Sequence, residues 1–138
     1  MRFMVIVKAN PESEAGQLPD QDGIAAMYSY NEQLANAGIL LTADGLHASS
    51  KGARVRFQGG KATATDGPFT ETKELIAGFW ILQVKSKDEA VEWVKRAPMP
   101  DGSELEVRQV FEAEDFGEAL TPELRARQDR MWAQVNKS

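Results

Sequence analysis

The sequence contains no cysteine and a single histidine. Without cysteine the chain has no disulfide, no thiolate nucleophile and no cysteine-ligated metal site. One imidazole per chain also excludes a metal centre built from several histidines of the same chain. No glycine-rich phosphate loop precedes a predicted helix, and no dinucleotide fingerprint is present. We therefore expect neither a metal nor a nucleotide cofactor.

Two further absences limit the partners. No apolar run approaches the roughly 20 residues that a membrane span needs, and the amino terminus is typical of a strand rather than of a signal peptide. Lysine and arginine number 16 against 21 aspartate and glutamate, which gives a net charge of −5. A nucleic-acid binder normally has a basic face instead. The sequence thus predicts a cytoplasmic protein that binds neither nucleic acid nor a membrane.

The composition that is present, 42% hydrophobic and 27% charged, is typical of one soluble globular domain. We assign residues 1–138 to this domain, with 113–138 as a C-terminal helical extension. The patterns predict a strand over 2–8, an exposed loop over 10–22, a helix over 22–37, strands over 39–46, 54–57, 61–65 and 78–84, a helix from Ser86 to before Pro98, a strand over 104–111 and a helix from Thr121. This order, β-α-β-hairpin-β-α-β with a C-terminal helix, predicts a ferredoxin-like α+β fold.

Two of the predicted strands, 2–8 and 78–84, are apolar on both faces. Helices cover only one face of the sheet in such a fold, so the second face needs another cover. Either the terminal helix or a second subunit that packs sheet against sheet would supply it. We expect a homodimer.

The first long helix places an apolar stripe on one face: Ile24, Met27, Tyr28, Asn31, Leu34 and Ala35. Tyr28 is therefore expected in the core rather than in a reaction.

The segment Asp66–Glu74 combines a turn-forming carboxylate, a proline, an aromatic ring and alternating charges. In one interpretation the Asp66 carboxylate accepts hydrogen bonds from its own loop while Gly67 and Pro68 turn the chain, and Phe69 is a plug. In the other, Asp66 is a general base held in a cleft by this rigid backbone.

His47 is the strongest candidate for proton transfer, because imidazole alone has an unperturbed pKa near neutrality. The alternative is an ordinary surface histidine. A carboxylate in contact would orient the ring and raise its pKa, and Asp66 is the candidate if strand end and loop converge.

Lys73 and Arg54 are candidates for binding an anion. The alternatives are a solvated charge cluster around Lys73 and a charged face of an edge hairpin at Arg54 and Arg56. Ser49 and Ser50 have no nucleophile-elbow context and are set aside as nucleophiles.

Several of these segments together resemble the YCII-related proteins of the DGPF type, over about residues 1–112. The resemblance is carried by Asp66-Gly67-Pro68-Phe69 with Glu71, Lys73 and Glu74, and by Gly78-Phe79-Trp80, Asp88-Glu89-Ala90 and Glu106-Val107-Arg108. It implies a dimeric ferredoxin-like α/β barrel. The wider superfamily includes small cofactor-free enzymes with a His–Asp pair, and Asp66 matches the Asp of the motif. Some DGPF-type members accompany extracytoplasmic-function sigma factors, which implies a regulatory role instead.

Three functions follow as hypotheses. The first is a cofactor-free enzyme that performs acid–base chemistry on a small, ring-type metabolite, with Asp66 and His47 as catalytic residues and Lys73, Arg54 and Phe69 binding the substrate. The second is a non-catalytic, small-ligand-binding or regulatory dimer associated with such a sigma factor. The third is an interaction protein whose surface is the terminal helix around Trp132.

Overall fold

The computed structural model describes residues 1–70 and 74–137. Its elements are β1 (Arg2–Lys8), α1 (Pro11–Glu14), α2 (Gln21–Asn36), β2 (Leu40–Gly45), β3 (Ala53–Gln58), β4 (Lys61–Asp66), β5 (Ile76–Gln83), α3 (Lys87–Val94), β6 (Leu105–Gln109) and α4 (Pro122–Val135). Short 3-10 segments occupy Ser49–Lys51 and Ala113–Ala119. The predicted strands and long helices are confirmed, with ends that differ by a few residues.

Four strands form one antiparallel sheet in the order β2-β5-β1-β6. Two helices, α2 and α3, connect β1 to β2 and β5 to β6, which is the ferredoxin-like α+β topology that the sequence predicts. Strands β3 and β4 form a separate two-stranded hairpin inserted between β2 and β5. The four-stranded sheet is open at β2 and β6, so within residues 1–70 and 74–137 one chain forms no closed barrel.

The hydrophobic core lies on the face of the sheet that α2 and α3 cover. In the strand register Val5 lies opposite Trp80 and Val107, and these residues share one face. Leu34 of α2 and Ala90 of α3 are fully buried against this face. The alternation of strand side chains thus directs one set into the core.

Tyr30 is the polar anchor of this core. Its hydroxyl donates a hydrogen bond of 2.8 Å to the carbonyl of Trp93, and its ring packs edge-on against Trp80. Burial raises the pKa of Tyr30 to about 12, because the charged phenolate would lose its hydration. The indole Nε1–H of Trp80 donates to Asn31 at 2.7 Å. Within residues 1–70 and 74–137, no buried side-chain nitrogen or oxygen lacks a hydrogen-bond partner.

The opposite face of the sheet is also apolar. Met4 and Ile6 of β1 lie opposite Ile81 and Phe79 of β5, and all four are partly buried. They are not among the residues that pack against the core. Helix α4 buries none of its own residues.

Three details correct the sequence-based predictions. Tyr28 is 63% exposed whereas Tyr30 is buried, because the inward face of α2 is centred on Met27, Tyr30 and Leu34. The predicted loop over 10–22 contains the short helix α1. Helix α3 ends at Val94, before it reaches Pro98.

The helix starts are set by local capping. The side chains of Asp20, Ser86 and Thr121 accept hydrogen bonds from backbone N–H groups in the first turns of α2, α3 and α4. No described helix is both long and apolar enough to cross a bilayer.

Candidate functional site

The hydroxyl of Ser49 joins three segments that are far apart in the sequence. Ser49 Oγ donates to one oxygen of the Glu14 carboxylate, and the Ser49 N–H donates to the other at 3.0 Å. The N–H of Phe69 donates to the same Oγ at 2.9 Å. Helix α1, the 3-10 turn after β2 and the loop after β4 are therefore fixed to one another through one side chain.

Glu14 owes its position to the start of α1. Asn10 caps this helix: its side chain accepts from the Ser13 N–H at 2.7 Å, and the Ser13 hydroxyl accepts from the Asn10 N–H at 3.0 Å. Pro11 occupies the first helical position, where its missing N–H has no cost. One turn of helix then ends at Glu14 and directs its carboxylate to Ser49.

Gly67 lies against the backbone of the same 3-10 turn. Its N–H donates to the carbonyl of Gly52 at 3.0 Å. A Cβ added at Gly67 would lie 1.8 Å from the carbonyl oxygen of Ser49, far inside van der Waals contact. This close approach explains why glycine stands before Pro68, which follows through a cis peptide bond. The segment therefore has a packing role whether or not Asp66 performs chemistry.

Arg54 of β3 lies over the ring of Phe69. The guanidinium carbon is 3.9 Å from the ring centroid, the geometry of a cation–π contact. Because the Phe69 backbone is bonded to Ser49, the contact ties the inserted hairpin to the loop that follows it.

A cavity of about 350 Å³ lies beside this junction. Its wall brings together His47, Arg54 and Phe69, three of the five residues that the sequence nominates for a site. Glu14 and Lys51 line it as well. The cavity therefore combines an imidazole, two cations, one carboxylate and an aromatic ring, a set suited to a small anionic ligand.

The other two nominated residues lie elsewhere. Asp66 ends β4 opposite Ala53, is exposed, and does not line this cavity. Within residues 1–70 and 74–137 the structure records no hydrogen bond to its carboxylate or to the ring of His47. Lys73 lies outside the described residues. The catalytic roles of Asp66 and His47 and the binding role of Lys73 stay predictions.

Glu14 is the cavity residue that sequence reasoning missed. Glu14 lies in the segment 10–22, which the sequence analysis predicted to be a loop. Asn10 followed by Pro11 and Ser13 is nevertheless a local helix-start signal. The sequence analysis set Ser49 aside as a nucleophile. In the structure its hydroxyl instead links the carboxylate of Glu14 to the backbone of Phe69.

Carboxyl groups with a perturbed pKa lie away from this cavity. A hydrogen bond from Lys8 lowers the pKa of Glu106, and one from Arg2 lowers the pKa of Glu112. A second cavity, of about 610 Å³, lies beside α3 and β6. It contains none of the five nominated residues.

Two proteins illustrate what the chain is similar to. The uncharacterized protein R00369 of Rhizobium meliloti (strain 1021) is 36% identical over 59 residues, which are 43% of this chain and 48% of that protein. The chain thus matches about half the length of this relative. The 5-chloro-2-hydroxyhydroquinone dehydrochlorinase TftG of Burkholderia phenoliruptrix AC1100, solved in complex with 2,5-dihydroxybenzoquinone, is 20% identical. It matches with a TM-score of 0.43 over 81% of this chain and 96% of its own.

The family model of the YCII-related domain matches residues 1–114, from β1 into the 3-10 segment after β6. It thus includes the whole four-stranded sheet, the hairpin and the cavity of His47, and it ends before α4. The chain belongs to the family of YCII-related domain proteins.

Proposed function

We propose that the protein is a cofactor-free enzyme that performs acid–base chemistry on a small, ring-type, anionic metabolite in the cavity beside Ser49. The observation that carries the proposal is the convergence of His47, Arg54 and Phe69 on this cavity. The three residues come from separate segments of the chain. Each can contribute to the transfer of a proton from a ring hydroxyl.

The step requires one proton to move. The neutral imidazole of His47 accepts the proton of a ring hydroxyl and becomes an imidazolium. The negative charge that forms on the ring oxygen is stabilised by the guanidinium of Arg54. Phe69, held by its backbone bond to Ser49, provides an apolar wall for the ring. Return of the proton to the ring completes an isomerisation without any cofactor.

Asp66 is proposed as the carboxylate that orients His47, as the family motif implies. Glu14 is a second carboxylate in the same region and lines the cavity itself. Both Glu14 oxygens accept hydrogen bonds from Ser49. Glu14 is therefore better placed to fix the position of Ser49 than to accept a proton. Replacing each carboxylate separately distinguishes these roles.

The experiment uses a panel of hydroxybenzoates as probes. The first readout is the thermal shift of wild-type protein, of Arg54→Gln and of Arg56→Gln, a matched control on the same face of β3. We expect stabilisation of wild type and Arg56→Gln and its loss in Arg54→Gln. Stabilisation of all three proteins to the same degree would place the ligand elsewhere.

The second readout is turnover, measured as solvent deuterium entering the probe ring by NMR. A positioned general base contributes about 10²- to 10⁴-fold. We therefore expect His47→Ala to lose at least 100-fold and Asp66→Asn to lose activity with it. Probe binding without exchange in any protein would contradict the enzyme proposal.

That outcome would favour the second candidate function, a non-catalytic, ligand-binding or regulatory dimer associated with an extracytoplasmic-function sigma factor. The position of Asp66 favours it, because an acid–base pair needs contact and the described residues show none between Asp66 and His47. Co-purification of a sigma factor with the tagged protein would support this function.

We also propose that the protein is a homodimer. The partly buried side chains of Met4, Ile6, Phe79 and Ile81 form an apolar sheet face that is not part of the helix-covered core. A second copy that packs sheet against sheet would bury it and close a barrel. A monomer at all concentrations in sedimentation equilibrium would contradict this.

A further inference from the structure

The cavity beside Ser49 has more positive than negative charge on its wall. Lys51 and Arg54 line it with one carboxylate, that of Glu14. The whole chain carries a net charge of −5, so the sign of the charge is reversed at this cavity. A concave surface with an excess of one sign of charge concentrates small ions of the opposite sign. The charges therefore suit a ligand that is already an anion before any proton is transferred.

The carboxylate of the cavity is engaged by the chain itself. One Glu14 oxygen accepts from the Ser49 N–H at 3.0 Å, and the other accepts from the Ser49 hydroxyl. Within residues 1–70 and 74–137, the ammonium of Lys51 takes part in no ion pair or hydrogen bond. Lys51 thus has all three N–H donors available for a ligand.

The backbone that carries Lys51 is fixed on both sides. The Lys51 N–H donates to the carbonyl of Ala48 at 3.0 Å. The next residue, Gly52, donates its N–H to the carbonyl of Ser49 at 2.9 Å, and its own carbonyl accepts from Gly67 at 3.0 Å. Only the side chain of Lys51 must be ordered when an anion binds, which lowers the entropic cost of binding.

The same hydrogen bonds decide which anion suits the turn. Phosphate sites typically surround the ligand with several backbone N–H groups. Here the N–H groups of Ser49, Lys51 and Gly52 all donate to other groups of the chain. A single ammonium without such a cradle matches the one charge of a carboxylate better than the larger charge of a phosphate.

The remaining wall of the cavity is apolar. Leu46, Leu75 and Ile76 line it together with the ring of Phe69. Sites of this kind bind the apolar body of a ligand and fix its orientation through a few polar groups.

We infer that Lys51 binds the carboxylate of a hydroxylated ring acid and that this contact selects the ligand of the cavity. The inference rests on the proposed function, in which His47 and Arg54 act on the ring hydroxyl. It adds a second functional group to the substrate and makes Lys51 the residue that determines specificity for it.

The test compares para-hydroxybenzoate with para-hydroxybenzamide, which has the same ring and hydroxyl but no charge. Dissociation constants come from titration of the Hε1 NMR signal of His47, because the chain has one histidine and it lines the cavity. We expect wild-type protein to bind the acid about tenfold more tightly than the amide, the effect of one charge-assisted hydrogen bond. Equal affinities would overturn the inference.

Three variants assign this preference to one side chain. Lys51→Gln removes its charge, Lys51→Arg keeps the charge, and Lys61→Gln removes a charge from β4 outside the cavity. We expect the preference for the acid to disappear in Lys51→Gln and to change less than about threefold in the other two. Equal losses in Lys51→Gln and Lys61→Gln would reveal a general effect of net charge and overturn the inference. Circular dichroism checks that the variants fold.

Inorganic phosphate tests the class of anion. At constant ionic strength and equal concentration, it should leave para-hydroxybenzoate bound to wild-type protein. Displacement of the acid by phosphate would assign Lys51 to a phosphate site and overturn the choice of a carboxylate.

The inference and the proposed function fail in different ways. Equal binding of acid and amide, with solvent deuterium still entering the ring, would overturn the role of Lys51 and support the acid–base function. Binding of the acid that depends on Lys51, without exchange in any protein, would support the carboxylate site and contradict the enzyme. Absence of binding of either probe would overturn both.

Discussion

Replacement of Gly67 by alanine tests the junction around Ser49. The added Cβ would lie 1.8 Å from the carbonyl oxygen of Ser49, and real Cβ contacts are essentially never below 3.0 Å. The loop and the 3-10 turn must therefore separate by at least 1.2 Å. Overpacking of this kind costs about 1–3 kcal/mol.

The separation also breaks hydrogen bonds. The N–H groups of Gly67 and Phe69 donate to Gly52 and Ser49 across the same junction. Each such bond contributes about 1 kcal/mol net. We therefore expect Gly67→Ala to lower the free energy of unfolding by about 3–5 kcal/mol, a large part of the roughly 5–15 kcal/mol of a typical domain.

Urea denaturation measures this change, with Gly45→Ala as the matched control. No atom lies within 4 Å of a Cβ built at Gly45, and its backbone is not left-handed. Alanine there should change the free energy of unfolding by less than about 1 kcal/mol. If Gly67→Ala unfolds at the same urea concentration as Gly45→Ala, the junction is not as close as the structure shows and the packing role of Gly67 is refuted.

Three further predictions concern the rest of the fold. Leu34→Ala should cost about 2–5 kcal/mol in urea denaturation, since the side chain is fully buried, and a cost below 1 kcal/mol would contradict the core assignment. Burial raises the pKa of Tyr30 from 10 to about 12, so the unfolded state loses its proton first and stability falls between about pH 10 and 12. The loss of unfolding free energy over this pH range is up to about 2–3 kcal/mol. Tyr30→Phe should abolish this loss, and a variant whose stability falls with alkaline pH as in wild type would refute the raised pKa. The Arg2 hydrogen bond lowers the pKa of Glu112, so this carboxylate stabilises the fold above its unfolded pKa and the effect is lost as the pH falls through the folded value. Glu112→Gln should reduce the fall in the free energy of unfolding at acid pH. A fall identical to that of wild type would show that the Arg2–Glu112 pair contributes nothing to stability.

The sequence was most informative about elements with strong local signals. Ser86 with Glu89, and Thr121 with Pro122, set helix starts that the structure confirms, because capping depends on residues three positions apart. The apolar strands likewise predicted the ferredoxin-like order of strands and helices. Prediction of the buried tyrosine failed, because Tyr28 and Tyr30 are both plausible on a helical wheel and only the packing of α2 decides between them.

The candidate site was predictable only in part. His47 and Phe69 were nominated for their chemistry, and the structure places both on one cavity. Glu14 was not nominated, because a four-residue helix carries too little periodicity to stand out from a loop. A contact between Asp66 and His47 depends on how two loops fold back in space, and no spacing in the sequence encodes that.

The close approach of Gly67 to Ser49 gives the segment around Asp66 a structural requirement that is independent of any reaction. Asp66-Gly67-Pro68-Phe69 is part of the run by which this sequence resembles the DGPF-type proteins, and two of its four residues meet Ser49, by steric clearance at Gly67 and by a backbone hydrogen bond at Phe69. In this chain the segment thus has a packing requirement of its own, and its presence does not by itself assign an activity.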